Sequence, residues 1–239
     1  MKVKDFILDI IYPPRCPCCG ELNPGGKPCD KCAKDIVNQR VLGKVCKFCG
    51  HEKHYCQCKR YHYLFEGVAA PFYNKDTAQS GVYMLKFRNA PFAADYFGNE
   101  MYECFKSRFP KVHIDLITIV PGTKKDLRHK HYDKVELLAK VFSKKSGVKL
   151  NKKVIKKVKQ TKKQHDLLHN ERQQNVKGAF KVSKRLDGKT ILLADDIKTT
   201  GYTLNECAKQ LRMAGAEKVY CVTALISPNK SCKTDKNTV

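Results

Sequence analysis

The chain has 239 residues, with 47 Lys and Arg against 23 Asp and Glu, and a formal net charge of +24. This length allows one α/β domain of ordinary size with a small appendage, and no apolar run approaches the ~18 residues of a bilayer span, so we expect no membrane span. The charge favours polyanionic partners, although lysine outnumbers arginine, which also fits a lysine-rich solvated surface.

The first residues form a short apolar stretch, residues 6–11, that acidic residues interrupt. Asp5 and Asp9 break it, and no small-residue cleavage site follows. This pattern is typical of a short amphipathic helix ending at Pro13 and Pro14, and it differs from a signal peptide. We therefore expect a cytoplasmic protein.

Nine of the 13 cysteines lie between Cys16 and Cys58. In a reducing compartment such clustering indicates metal binding rather than disulfides. Two Cys-x-x-Cys-Gly elements resemble zinc knuckles, and four thiolates complete a tetrahedral Zn²⁺ site. The sequence therefore predicts one or two structural zinc sites. Consecutive pairing gives the ligand sets Cys16, Cys19, Cys29 and Cys32, and Cys46, Cys49, Cys56 and Cys58.

The spacing leaves alternatives open. Consecutive pairing is the simplest, but spacing alone also permits a cross-braced pairing, and His51 or His54 could replace a ligand of the second set, since one residue alone separates its last two cysteines. Cys18 is left as a spare, and an iron–sulfur cluster is the second candidate. Residues 1–60 contain few aliphatics, so we expect a small cysteine-rich domain stabilised by metal.

Residues 61–228 alternate strand and helix patterns, and 229–239 form a polar tail. Strands are expected over 61–72, 115–120, 190–194 and 218–226, and helices over 77–88, 92–107, 133–142 and from Thr203. This alternation predicts an α/β fold, a parallel sheet flanked by helices on both faces. Residues 150–181 interrupt this alternation, and seven lysines lie between residues 152 and 163. Such a segment is typical of either a solvated hairpin or a lid that excludes water from a site.

The turn after the strand 190–194 carries the main functional prediction. Ligands bind at the carboxyl ends of parallel strands, and backbone N–H groups at a helix start hold phosphate. Adjacent carboxylates beside a phosphate cradle suit a ligand that also offers hydroxyls, as ribose 5-phosphate does. We assign the ribose 2′- and 3′-hydroxyls to Asp195 and Asp196. The predicted phosphate-binding residues are Thr199, Thr200, Gly201, Tyr202 and Thr203.

The residues from Asp195 to Thr203 resemble the 5-phosphoribosyl-1-pyrophosphate (PRPP) loop of type I phosphoribosyltransferases. Together with the cysteine pairs, they resemble the ComF family of competence-associated proteins over nearly the whole chain. The opening motif Ile10–Pro17, Leu85-Lys86-Phe87, and the Thr-x-x-Gln and Arg-x-x-Asn-Val-x-Gly-Ala-Phe elements within 161–180 carry the rest of the resemblance.

The resemblance implies a type I phosphoribosyltransferase-like sheet behind a small zinc-binding domain. It further implies PRPP with Mg²⁺ as ligand, and single-stranded DNA and competence or DNA-processing proteins as partners in DNA uptake. The resemblance leaves open whether the protein catalyses pentosyl transfer. The alternative is a conventional phosphoribosyltransferase that acts on a nucleobase or on ammonia or glutamine nitrogen, and a third reading is a non-enzymatic docking module that senses PRPP.

The sequence departs from the family pattern in the region that corresponds to the loop on the pyrophosphate side of the PRPP site. Residues 130–134, Lys-His-Tyr-Asp-Lys, stand where Arg-Gly-Phe-Asn-Gln is usual, and Lys198 stands where an aliphatic is usual. Lys157 and Lys159 replace arginines of the lid. The cations expected to neutralise pyrophosphate are Lys86, Lys124, Lys125, Arg128 or Lys130.

Overall fold

The computed structural model describes residues 13–58, 63–87, 92–122, 133–159 and 174–229. The predicted helix before Pro13, residues 124–132 of the predicted basic loop 124–134, residues 161–173 and the tail from 230 lie outside the described residues, as does the side chain of Lys86.

A parallel sheet forms the centre of the fold, in the order β1–β7–β6–β3, with β2 also paired to β7. The strands are β1 Gly67–Ala69, β2 Phe72–Tyr73, β3 Leu116–Ile119, β6 Thr190–Lys198 and β7 Lys218–Ile226. The two long central strands are apolar runs because helices cover both faces of the sheet. The predicted parallel sheet flanked by helices is confirmed.

The helices lie on both faces of this sheet. They are α1 Asp30–Val37, α2 Asp76–Phe87, α3 Phe92–Arg108, α4 Lys134–Ser146 and α5 Tyr202–Met213, with a 3₁₀ turn at Lys53–Tyr55. Successive residues of β6 point to opposite faces. Leu192 packs with α2, α3 and α4 on one face, and Leu193 packs with α5 on the other. Cys207 and Cys221 are fully buried on this second face.

Two local features set the ends of α4. The Asp133 side chain accepts hydrogen bonds from the N–H groups of Val135, at 2.9 Å, and Glu136, at 3.4 Å. Gly147 ends the helix in the left-handed region at φ 72°. Asp133 caps the helix, so Lys134 is its first residue. Lys134 lies beside the carboxyl end of β6, where it pairs with Asp196.

The cysteine-rich region packs directly on the sheet and its helices. Cys16 and Cys32 belong to the same buried cluster as α2 and α3. Gly81 of α2 admits this approach, since a Cβ there would lie 2.9 Å from the carbonyl oxygen of Pro17. Arg40 forms a bidentate ion pair with Glu100 of α3, with both N–O distances at 2.8 Å. The cysteine-rich layer and the sheet therefore share one core.

The lysine-rich segment contributes a second, two-stranded sheet. Strands β4 Ile155–Lys157 and β5 Phe180–Val182 pair antiparallel, which places Lys156 directly opposite Lys181. The helices in the described part of the chain are all too short or too polar to cross a bilayer.

Candidate functional site

The predicted turn lies at the carboxyl end of β6, where α5 begins. Asp195, Ile197 and Lys198 still pair with β7, so the strand continues four residues beyond its predicted end. Gly201 then precedes α5 with φ 85°, in the left-handed region. A Cβ at this position would lie 3.2 Å from Lys198 Cε and 3.3 Å from Tyr63 Cε1. Glycine therefore supplies both the backbone conformation and the close approach.

A cavity of about 220 Å³ opens over this turn. Five of the predicted residues line it, together with side chains from α2 and α4. The predicted residues are Asp195, Asp196, Thr199, Gly201 and Thr203, and the others are Tyr83, Lys134, Ile197, Lys198 and Leu204. Thr200 and Tyr202 belong to the turn but do not line the cavity.

Thr200 carries a buried hydroxyl between two residues that line the cavity, Thr199 and Gly201. Its Oγ1 has no hydrogen-bond partner among the residues that the structure describes. Buried polar atoms are normally satisfied, so an orphaned hydroxyl beside a glycine cradle and a helix start is consistent with an absent phosphate group.

The two carboxylates have different surroundings. Burial raises the pKa of Asp195 to about 7, against the opposing charge of Lys134. The Asp195 Oδ1 accepts the N–H of Asp196 at 2.9 Å, and the Asp196 carboxylate pairs with the Lys134 ammonium. Ionised together, the two acids can accept hydrogen bonds from a diol and offer the oxygen ligands that Mg²⁺ prefers.

Sequence reasoning missed Lys134 and Tyr83. Lys134 ends the predicted basic loop 124–134 and is the first residue of α4, and only the packing of α4 beside β6 brings it to the turn. Tyr83 lies on α2, far from the turn in sequence, and its apolar neighbours gave no signal of a cavity position.

The first predicted cysteine set comes together in space. The sulfur atoms of Cys16, Cys19, Cys29 and Cys32 all lie within 4.8 Å of one another. Cys19 Sγ and Cys29 Sγ are 3.8 Å apart, equal to the roughly 3.8 Å that a tetrahedron with 2.3 Å Zn–S bonds requires. Burial opposes ionisation of Cys16, but N–H donors from Cys29, Cys19 and Cys18 outweigh it and lower its pKa to about 6.

The second set is also assembled consecutively. The sulfur atoms of Cys46, Cys49, Cys56 and Cys58 lie within 4.8 Å of one another, and Cys46 Sγ is 3.7 Å from Cys58 Sγ. Each knuckle closes on a glycine with positive φ, Gly20 or Gly50, whose N–H donates to the first cysteine's carbonyl at 2.9 Å. Both sets of donors fit tetrahedral zinc.

The two histidines near the second cluster lie outside it. His51 Nε2 donates to the Ser227 carbonyl at 2.9 Å, and burial, with Lys198 nearby, lowers the His51 pKa to about 4. His54 is exposed and lies 3.3 Å from Glu52. Cys18, the spare thiol, is buried, and burial raises its pKa well above the usual range.

Two domain families match the sequence. The phosphoribosyl transferase domain matches residues 143–238, and the double zinc ribbon domain matches residues 7–61. Competence protein F from Haemophilus influenzae is 37% identical over 91 residues, 37% of this chain and 40% of that protein. The match thus spans less than half the length of this curated relative.

Solved structures of phosphoribosyltransferases are also similar. Glutamine PRPP amidotransferase from B. subtilis, complexed with ADP and GMP, is 17% identical over 63% of this chain and 28% of its own, with a TM-score of 0.36. Adenine phosphoribosyltransferase from Saccharomyces cerevisiae is 16% identical over 59% of this chain and 80% of its own, with a TM-score of 0.35. At these scores the likenesses carry no functional argument.

Proposed function

The chain belongs to the ComF family, and from that premise we propose that it binds PRPP with Mg²⁺ and single-stranded DNA, in DNA uptake during natural transformation. The observation that carries the PRPP assignment is the turn itself. It places two carboxylates and a glycine-led helix start around one cavity, with the buried Thr200 hydroxyl in the same turn.

The proposed ligand contacts divide the turn into two halves. Asp195 and Asp196 accept hydrogen bonds from the ribose 2′- and 3′-hydroxyls. The N–H groups from Gly201 to Thr203 and the hydroxyls of Thr199 and Thr200 hold the 5-phosphate. When bound with PRPP, Mg²⁺ would neutralise charge on the pyrophosphate and the diol oxygens. Lys134 would exchange its pairing with Asp196 for the pyrophosphate, adding a cation that the sequence did not indicate.

The PRPP site is tested by calorimetric titration with PRPP and Mg²⁺. The variant carrying Asp195→Asn and Asp196→Asn is expected to lose binding while its zinc content and fold stay intact. Glu217→Gln, an exposed acid beside Lys218, is the matched control and should bind as the wild type does. Unchanged affinity in the double variant would refute the assignment.

We further propose that the two tetracysteine clusters each hold one structural Zn²⁺. Their consecutive pairing and sulfur separations support this, since tetrahedral zinc needs four ligands at about 2.3 Å. We divide the chain into a zinc-ribbon domain over 1–60 and a phosphoribosyltransferase-like domain over 61–228. Reduced cysteine clusters fit a cytoplasmic location.

The β4–β5 hairpin is the surface that we propose for single-stranded DNA. Lys156 and Lys181 are both exposed and lie directly opposite each other, an arrangement of like charges that is unfavourable without an anion. Exposed neighbours extend this cationic surface. They are Lys152, Lys153, Lys159, Lys177 and Lys184.

DNA binding is tested by fluorescence anisotropy of oligo-dT over a series of salt concentrations. The log–log slope should be about −0.7 per phosphate contacted, because single strands release condensed counterions. Lys156→Glu with Lys181→Glu should weaken binding and reduce this slope. Lys144→Glu with Lys145→Glu, at the end of α4, should change both less. A flat salt response would overturn the DNA assignment.

A conventional phosphoribosyltransferase remains the second candidate, because the transferase domain match includes the whole turn. Release of pyrophosphate from PRPP, screened with nucleobases, ammonia and glutamine, separates the two functions. Robust turnover with one acceptor favours the conventional enzyme. Binding of PRPP without turnover, together with salt-dependent DNA binding, favours the competence-type function.

A further inference from the structure

Lys198 is a buried cation inside the turn. Its side chain is 2% exposed, and it is the only buried Lys or Arg in the described part of the chain. It ends β6, in register with Ile226 of β7. No carboxylate of the described residues forms an ion pair with it. An ammonium buried without a counter-charge costs several kcal/mol, so a nearby negative charge favours the charged form of Lys198.

One side of Lys198 supports the turn. A Cβ on Gly201 would lie 3.2 Å from Lys198 Cε and 3.7 Å from its Nζ. The ammonium also lies 5.9 Å from the centroid of the Tyr63 ring and borders the cavity. The Lys198 side chain is therefore packed directly beneath the glycine at which the phosphate-binding helix start begins.

Lys198 is connected through the main chain of Ser227 to the residues beside the second tetracysteine cluster. Burial lowers the pKa of Lys198, and negative charge on Cys49, Cys58, Cys221 and Cys46, three of which belong to the cluster, opposes that effect. The N–H of Ser227 donates to the Lys198 carbonyl at 2.8 Å, and the Ser227 carbonyl accepts from His51 Nε2 at 2.9 Å, next to the knuckle.

Four thiolates around one Zn²⁺ carry two net negative charges, which favour the charged form of the Lys198 side chain. We propose that Lys198 is a positioning residue of the phosphate-binding turn, held by the charge of the second zinc cluster, so that metal in the cluster and phosphate in the turn stabilise each other. The proposal rests on the proposed function. An aliphatic side chain, usual at this position of PRPP loops, could not provide this coupling.

Coupling between two sites is reciprocal, which fixes the expected signs. Zinc in the second cluster raises PRPP affinity, and bound PRPP slows zinc loss from that cluster. The first cluster is an internal reference, because its four cysteines have no buried lysine among the described residues. Its zinc should respond neither to PRPP nor to changes at Lys198.

The test measures zinc release from the full, zinc-loaded chain to a colorimetric chelator. Cys19→Ser and Cys58→Ser assign the two release phases to the first and second cluster. Lys198→Met should accelerate release from the second cluster about tenfold or more, since partners that support metal ligands are worth about 10–100-fold in affinity. Release from the first cluster should not change. Lys209→Met, an exposed lysine of α5, is the control.

A second arm uses the wild type alone and therefore does not depend on the variant folding. Saturating PRPP with Mg²⁺ should slow zinc release from the second cluster and leave the first unchanged. Failure of wild-type PRPP binding in calorimetry would refute the proposed function. The comparison of zinc release between Lys198→Met and wild type needs no PRPP, so it would still test whether Lys198 stabilises metal in the second cluster. PRPP binding with no effect on zinc release, or equal release from Lys198→Met and wild type, would overturn the coupling.

Discussion

Replacing Gly201 by alanine perturbs the turn at its most constrained point. At φ 85°, any residue with a Cβ pays about 1–2 kcal/mol of backbone strain. The added Cβ would also lie 3.2 Å from Lys198 Cε and 3.3 Å from Tyr63 Cε1, and crowding of this kind adds about 1 kcal/mol or more. We therefore expect unfolding free energy to fall by about 2–3 kcal/mol in urea titrations.

The same substitution should displace the N–H groups that hold the phosphate. A hydrogen bond to a charged group contributes about 1.5–3 kcal/mol, so losing one weakens PRPP binding by roughly 10- to 100-fold. Calorimetric titration with PRPP and Mg²⁺ measures this loss.

Gly147→Ala is the matched control for this substitution. Gly147 has φ 72° with nothing within 4 Å of an added Cβ, so it carries the backbone strain without the crowding. It should lose about 1–2 kcal/mol of stability and keep full PRPP affinity. Equal stability losses in the two variants, with unchanged PRPP binding in both, would refute the reasoning.

Four further predictions follow from the charges and the shared core. Because the pKa of Asp195 is raised to about 7, PRPP affinity should fall as pH drops from 8 to 6, and a flat calorimetric profile would contradict this. The raised native pKa also means that ionisation destabilises the fold as pH rises from about 4 to 7, so Asp195→Asn should raise the urea midpoint at pH 8 but not at pH 4. Lys134→Met should shift the PRPP pH profile to higher pH, because the Lys134 charge holds the Asp195 pKa down; an unmoved midpoint would count against that cause. Chelation of zinc should lower the thermal midpoint of the whole chain in one transition, since Cys16 and Cys32 share a core with α2 and α3; two separate transitions would show that the cysteine-rich layer melts alone.

Local sequence signals were sufficient for the elements and for the turn. The apolar runs at 115–120, 190–194 and 218–226 identify buried parallel strands, and each of these strands is present. The adjacent acids, Gly201 and the helix start after them are contiguous in sequence, so their proximity follows from chain connectivity. The cysteine sets were also within reach, because each cluster spans a short segment.

Contacts between distant segments were beyond sequence reasoning. The pairing of Lys134 with Asp196 depends on how α4 lies beside β6, which no local pattern encodes. The four sulfur atoms of the second cluster come together without His51, which spacing alone had left open as a ligand. Lys198 lies in the turn, and the second cysteine cluster lies more than 130 residues earlier in the chain. Their proximity likewise depends on how the second knuckle packs against β7.

The central claim is that one turn receives an activated sugar phosphate. The most direct measurement is a crystal structure of the chain with PRPP and Mg²⁺. We expect the 5-phosphate within hydrogen-bond distance of the N–H groups from Gly201 to Thr203, and the ribose diol at Asp195 and Asp196. PRPP bound elsewhere, or a turn left without ligand at saturating PRPP, would contradict the account.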